Sequence, residues 1–135
     1  MEQIKVYVHG FRTTKASKTG PDVRRRGFVH VYIFKGDERL HALHFKAGTS
    51  TDECNYLAIK FGLKWLQKHS TEWDSAIVAS SSEEAVKALL GGKEYKRLKG
   101  IPAEISQLLT SLGKVVLVVF PIPKVESKLV AFTPT

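Results

Sequence analysis

The stretch Ser50 to Gln67, S-T-D-E-C-N-Y-L-A-I-K-F-G-L-K-W-L-Q, decides how the rest of the chain is read. At 100° per residue, Cys54, Ala58, Ile59, Phe61, Gly62, Trp65 and Leu66 fall on one broad face, and Lys60, Lys64 and Gln67 point away. The pattern predicts a helix with one side packed on an apolar layer, running out near Lys68-His69. Gly62 costs about 1 kcal/mol against alanine, which is tolerable if another backbone must come close there. Asn55 is a polar residue in the first turn of the buried side. It either bridges locally or faces a site.

Upstream, Gln3 to His9 alternates Ile4, Val6 and Val8 with Lys5, Tyr7 and His9, a strand with one buried face that Gly10 is expected to end. Arg12 to Arg26 reads as a polar, turn-rich and strongly basic loop around Gly20-Pro21. Phe28 to Phe34 alternates again, Lys35-Gly36-Asp37-Glu38 is a hairpin turn, and Leu40 to Lys46 returns as a third strand. Downstream, Ala76 to Ala79 is a short apolar run of the kind buried on both sides. Ser80 to Glu84 carries the capping-box spacing twice, Ser80 with Glu83 and Ser81 with Glu84, and opens a helix through Leu90. Lys93 to Lys99 is a basic linker. Pro102 starts a third helix that ends at Gly113, and Val115 to Phe120 is the last strand. The segment 121–135 reads as an irregular tail of one domain spanning 1–135.

The order β-β-β-α-β-α-α-β predicts an α/β fold. Its mixed five-stranded sheet has a three-stranded antiparallel meander plus two parallel strands, with helices on both faces. Ligand sites in such sheets lie at the carboxyl ends of central strands, here His9 and Ser80-Ser81, with Asn55 able to point at the same spot.

Composition narrows the partners. Lys and Arg number 21 against 13 Asp and Glu, a formal charge of +8. Such an excess favours polyanions, nucleic acid before anionic membrane. The single cysteine, Cys54, excludes an internal disulfide and fits a reducing compartment. Neither a signal-peptide layout nor a membrane-length apolar run is present, so a soluble cytoplasmic protein without a membrane partner is expected. The histidines and the cysteine have no zinc spacing, His41 and His44 would face opposite sides of a strand, and no nucleophile-elbow sequence surrounds any serine.

With these motifs in place, the chain resembles the ribonuclease H family, especially its short type-1 members. The family ends its first strand with an aspartate before a glycine, where I-K-V-Y-V-H-G has His9 before Gly10. Its helix carries Glu-Tyr-x-Ala-Leu-x-x-Gly-Leu, matched from Asn55-Tyr56 to Gly62-Leu63 with Asn55 in the glutamate's place. After strand four comes Asp-Ser-x-x-Val-Val and then Leu-x-Gly. Here Ser81 to Val86 continues to Leu89-Leu90-Gly91, with Ser81 at the aspartate. The fourth acid aligns on Leu129.

The resemblance implies two-metal phosphodiester cleavage by clustered carboxylates. His9, Asn55, Ser81 and Leu129 supply none, so a degenerate member lacking the catalytic acids is expected: a pseudo-enzyme, with no metal and no cofactor. Its expected role is to bind RNA, an RNA/DNA hybrid or a duplex through backbone contacts. The candidate residues are Arg12, Lys15, Lys18, Arg24, Arg25 and Arg26, the Ser50-Thr51 corner, and Lys93, Lys96 and Arg97. Two alternatives stand beside it. One is a protein-interaction or assembly module with Ile122 to Phe132 as docking segment. The other is a metal-dependent ribonuclease H with relocated acids at Asp52, Glu53 and Glu83.

Overall fold

Among the described residues, five strands and three helices follow one another as β1 (Gln3–Ala16), β2 (Val23–Lys35), β3 (Glu38–Lys46), α1 (Thr51–Lys68), β4 (Ser75–Ser80), α2 (Glu83–Gly91), α3 (Ile101–Leu112) and β5 (Val115–Val119). The computed structural model describes residues 3–16, 23–46, 50–91 and 100–120, with the backbone alone for 12–16 and 23–26. The strands form one sheet in the order β3-β2-β1-β4-β5. Strands β1 to β3 are an antiparallel meander, and β4 and β5 join parallel to β1. The mixed sheet and its flanking helices are the expected architecture. The expected tail, 121–135, lies outside the described residues.

The organising helix behaves as its spacing requires. Ser50 caps α1, its hydroxyl accepting from Glu53 N at 3.1 Å, and Asp52 and Glu53 complement the positive end of the helix. Cys54, Ala58, Ile59, Gly62, Leu63 and Leu66 are buried against Ile4, Val6 and Val8 of β1 and Val29, Val31 and Ile33 of β2. Ile59, Leu63 and Leu66 each contribute about 1.5–3 kcal/mol on area grounds. Phe61 and Trp65 pack at the margin, with Phe61 edge-on to Phe45 at 4.8 Å. The Lys60 ammonium and the Glu104 carboxylate, 2.6 Å apart, tie α1 to α3.

Two expectations about β1 and β2 are corrected. Gly10 does not end the first strand, and Arg12 to Arg26 is not one long loop. The β1–β2 register runs unbroken from Ile4↔Lys35 to Ala16↔Val23. β3 stops opposite Phe28 and β4 stops opposite Val8, so beyond Phe11 and Phe28 the two strands continue as a two-stranded ribbon. A polar ribbon has no apolar alternation to reveal it; its backbone ladder alone makes it a strand. Gly10 marks a close crossing, not a stop. A Cβ there would sit 2.2 Å from Cys54 C, 2.3 Å from Asn55 N and 2.5 Å from Cys54 O. The close backbone approach expected at Gly62 is therefore at Gly10. Gly62 meets only side chains, Val6 Cγ1 at 2.9 Å and Val8 Cγ1 at 3.1 Å.

Candidate functional site

Where β1 crosses the first turn of α1, three polar side chains are buried together. His9, Asn55 and Ser81 are 4 %, 5 % and 5 % exposed. Asn55 Oδ1 accepts from Gly10 N at 2.9 Å, and its Nδ2 donates to Thr51 O at 3.0 Å. His9 Nδ1 and Ser81 Oγ share a hydrogen bond of 2.5 Å, and Ser81 Oγ donates to Asn55 Oδ1 at 3.5 Å. With the hydroxyl proton directed at Asn55, the proton on His9 Nδ1 is the one donated to Ser81. In that arrangement His9 does not activate Ser81 as a nucleophile.

Ser81 reaches this corner because a different residue caps α2. Ser82 Oγ accepts from Ala85 N at 3.1 Å, while Ser80 Oγ accepts from Ser82 N at 3.1 Å. Neither of the expected capping boxes forms at this helix start; the cap lies one residue later than Ser81.

Asn55→Leu tests the corner. It removes the acceptor from Gly10 N and from Ser81, leaving a buried backbone N–H unpaired. The expected loss is about 2–4 kcal/mol in urea unfolding. A midpoint unchanged from the parent would show that the contacts carry no weight.

Beside the corner, register places His9 opposite His30 and His30 opposite His44, a row of three histidines across β1, β2 and β3. His30 and His44 stack at 4.4 Å, and His9 lies edge-on to His30 at 6.4 Å. Phe11 stacks on His9 at 5.0 Å and on Phe28 at 5.3 Å. Tyr32 Oη and His44 Nε2 share a hydrogen bond, and Tyr32 is buried with Phe34, Tyr7, Ala42 and Phe120 about it. This row is not among the sequence-based expectations. The alternation Phe28, His30, Tyr32 was the available signal, but it becomes a row only with the cross-strand register.

Burial first, then the charges of His44 and His9, push the His30 pKa from 6.5 down to about 4. The folded value lies below the unfolded one, so the unfolded chain binds the proton first. The contribution of neutral His30 is full above about pH 6.5 and is lost as the pH falls toward about 4. Because His30 is only half-buried, solvent screening holds that loss to about 1–2 kcal/mol. In a urea-midpoint series across this window, His30→Phe should remove part of the acid loss. The same slope in both proteins would contradict it.

The basic candidates separate. Arg12, Lys15, Arg24, Arg25 and Arg26 all stand on the ribbon, at Arg12↔Gly27, Thr13↔Arg26, Thr14↔Arg25 and Lys15↔Arg24. Five of the ten positions 12–16 and 23–27 are basic and none is acidic. The Ser50-Thr51 corner is at the start of α1, where Ser50 serves as cap and Thr51 is exposed. Lys18, Lys93, Lys96, Arg97 and Leu129 lie outside the described residues.

Three solved structures share this architecture. An RNase H1 from the halophilic archaeon Halobacterium salinarum NRC-1 is 18% identical, with a TM-score of 0.69 over 92% of this chain and 89% of that one. LC11-RNase H1, solved in complex with an RNA/DNA hybrid, is 22% identical, with a TM-score of 0.68 over 90% and 87%. The N-terminal RNase H domain of rv2228c from Mycobacterium tuberculosis is 13% identical, with a TM-score of 0.72 over 94% and 88%. The chain has the RNase H-like fold. No protein-family model and no curated protein matches its sequence.

On this RNase H-like frame, three of the four positions that the resemblance assigns to acids are in hydrogen-bonding contact, as a metal centre would require. Their chemistry does not fit one. Magnesium needs hard oxygen donors, some of them charged, and the trio contains no carboxylate. Asn55 Oδ1 is already engaged by Gly10 N and Ser81 Oγ. The relocated-acid alternative gains nothing either. Glu83 pairs with Lys87 at 2.8 Å, and among the described residues no three His, Cys, Asp or Glu side chains form a metal-holding group. Among the described residues no helix is long and apolar enough to cross a membrane.

Proposed function

We propose that this chain is a non-cleaving nucleic-acid-binding domain on the RNase H-like fold, a pseudo-enzyme. It takes RNA, an RNA/DNA hybrid or a duplex by its backbone. The observation that carries this reading is the pairing of a basic ribbon with an acid-free corner. Arg12, Lys15, Arg24, Arg25 and Arg26 concentrate positive charge on one projection of the sheet. Phosphates are neutralised by such residues without sequence readout. The acid positions, meanwhile, hold a histidine, an amide and a hydroxyl bonded to one another. Such a trio supplies no charged oxygen to gather divalent ions. The RNA/DNA hybrid bound by LC11-RNase H1 supports the choice of ligand class. The resting place for this protein on that reading is the cytoplasm.

Binding of labelled RNA, hybrid and duplex at two salt concentrations tests the reading. About five phosphate contacts predict an affinity that falls roughly 10²–10³-fold between about 50 and 200 mM salt. Absence of binding at low salt would remove it. A protein-interaction module is the second reading, favoured by the edge strand β5, which exposes Val116 and Val119. Salt-insensitive association with one protein would favour that module.

A further inference from the structure

At the start of β1, about 17 Å along the strand from His9, a recess opens. Its volume is about 520 Å³, and its lining includes Lys35, His41, Trp65, Lys68, His69 and Glu72. That size is in the range of small-ligand sites. It is built from the ends of three elements: Lys35 closes β2, His41 belongs to β3 beside the turn, and Trp65 and Lys68 end α1.

The indole of Trp65 organises the recess. His69 stacks on it at 4.1 Å with 22° between the planes, and His69 is itself held by the Glu72 carboxylate. His41 lies nearly parallel to the same indole, 23° off, but with 6.5 Å between centroids. A planar ring inserted between two others needs about 7 Å, twice a contact distance of about 3.5 Å. The exposed His41 side chain, on the edge strand, can rotate to set the spacing that an inserted ring needs. Among the described residues the charged lining comprises Lys35, Lys68 and Glu72, whose carboxylate engages His69.

We infer that this recess binds a nucleotide unit, its base against Trp65 and His41 and its phosphate on Lys35 and Lys68. Stacking suits any base because each has a π-face, and the lysines supply the phosphate's counter-charge. The site does not depend on the basic ribbon or on the His9–Asn55–Ser81 corner. The unit comes either from a free mononucleotide or from a single strand; the stacking and charge requirements are shared.

The test is titration of the full chain with AMP, adenosine, inorganic phosphate and a short oligoadenylate, followed by amide shift mapping. AMP is expected to shift residues around His41, Trp65 and Lys68, with adenosine weaker at the same place. His41→Ala and Lys68→Ala, both at exposed positions, should each weaken AMP about tenfold. Lys35→Ala gives an independent check of the phosphate contact. AMP equal to or tighter than the oligomer supports a free nucleotide; a tighter oligomer supports a strand. Millimolar AMP and oligomer leaving the recess unshifted would overturn the inference. So would AMP binding unmoved by both variants, or phosphate binding as well as AMP. Because the ribbon is untouched by these variants, loss of salt-steep binding to long nucleic acid would count against the proposed function alone.

Discussion

Replacing Gly10 by alanine is expected to unfold most of the protein. The added Cβ has nowhere to go. Its neighbours at 2.2, 2.3 and 2.5 Å are backbone atoms of Cys54 and Asn55, in the first turn of α1. A rotamer change cannot relieve a clash with backbone; β1 and α1 must separate. Separation opens the Gly10 N to Asn55 Oδ1 bond and loosens Val6 and Val8 from the core. A loss above about 4 kcal/mol is expected, a large share of the 5–15 kcal/mol that typically holds a domain together. Gly62→Ala is the matched control. Its Cβ meets three valine methyls, those of Val6 at 2.9 Å, Val8 at 3.1 Å and Val31 at 3.9 Å, so buried side chains must shift at a cost of about 1–3 kcal/mol, which a gain in helix propensity of about 1 kcal/mol offsets in part. Circular dichroism and urea unfolding should find the Gly62 variant folded with a modestly lowered midpoint and the Gly10 variant largely unfolded. Equal midpoints for the two would refute the crossing.

The second large effect falls on binding. Arg24→Ala, Arg25→Ala and Arg26→Ala together should lower affinity for nucleic acid by at least about a hundredfold at low salt. They should also flatten the log K against log salt slope by about three units' worth of contacts, roughly 2–3. By register these positions pair with Lys15, Thr14 and Thr13 on the ribbon, beyond the ends of β3 and β4, so the fold should survive the change. Unchanged affinity and slope in a folded triple variant would assign the +8 charge to general surface and move the interface elsewhere.

The sequence was most legible where a period repeats. The stripe through α1, the apolar run of β4, the Gly36-Asp37 turn with its positive φ at Gly36, and Pro102 at the start of α3 all correspond to observed elements. Three features could not be read. The ribbon's residue types carry no apolar alternation, so nothing in them separates it from a loop. Gly10 looks like a terminator because the space it needs belongs to a helix that lies 40 residues further on. The cap of α2 sits on Ser82, one of three consecutive serines, and only tertiary contacts draw Ser81 away to His9 and Asn55. The corner was half legible. Its members followed from the resemblance, but their mutual hydrogen bonds are the property of the folded chain, as is the row from His9 through His30 to His44.

The absence of carboxylates at that corner is the centre of the account, and cleavage tests it most directly. An end-labelled RNA/DNA hybrid would be incubated with excess protein in magnesium and then in manganese, and the strands separated on a denaturing gel. Intact strands are expected under both ions, in the same tubes where a salt-sensitive complex forms. RNA cut in proportion to protein and protected by a chelator would contradict it, and would require donors other than His9, Asn55 and Ser81 to hold the metal.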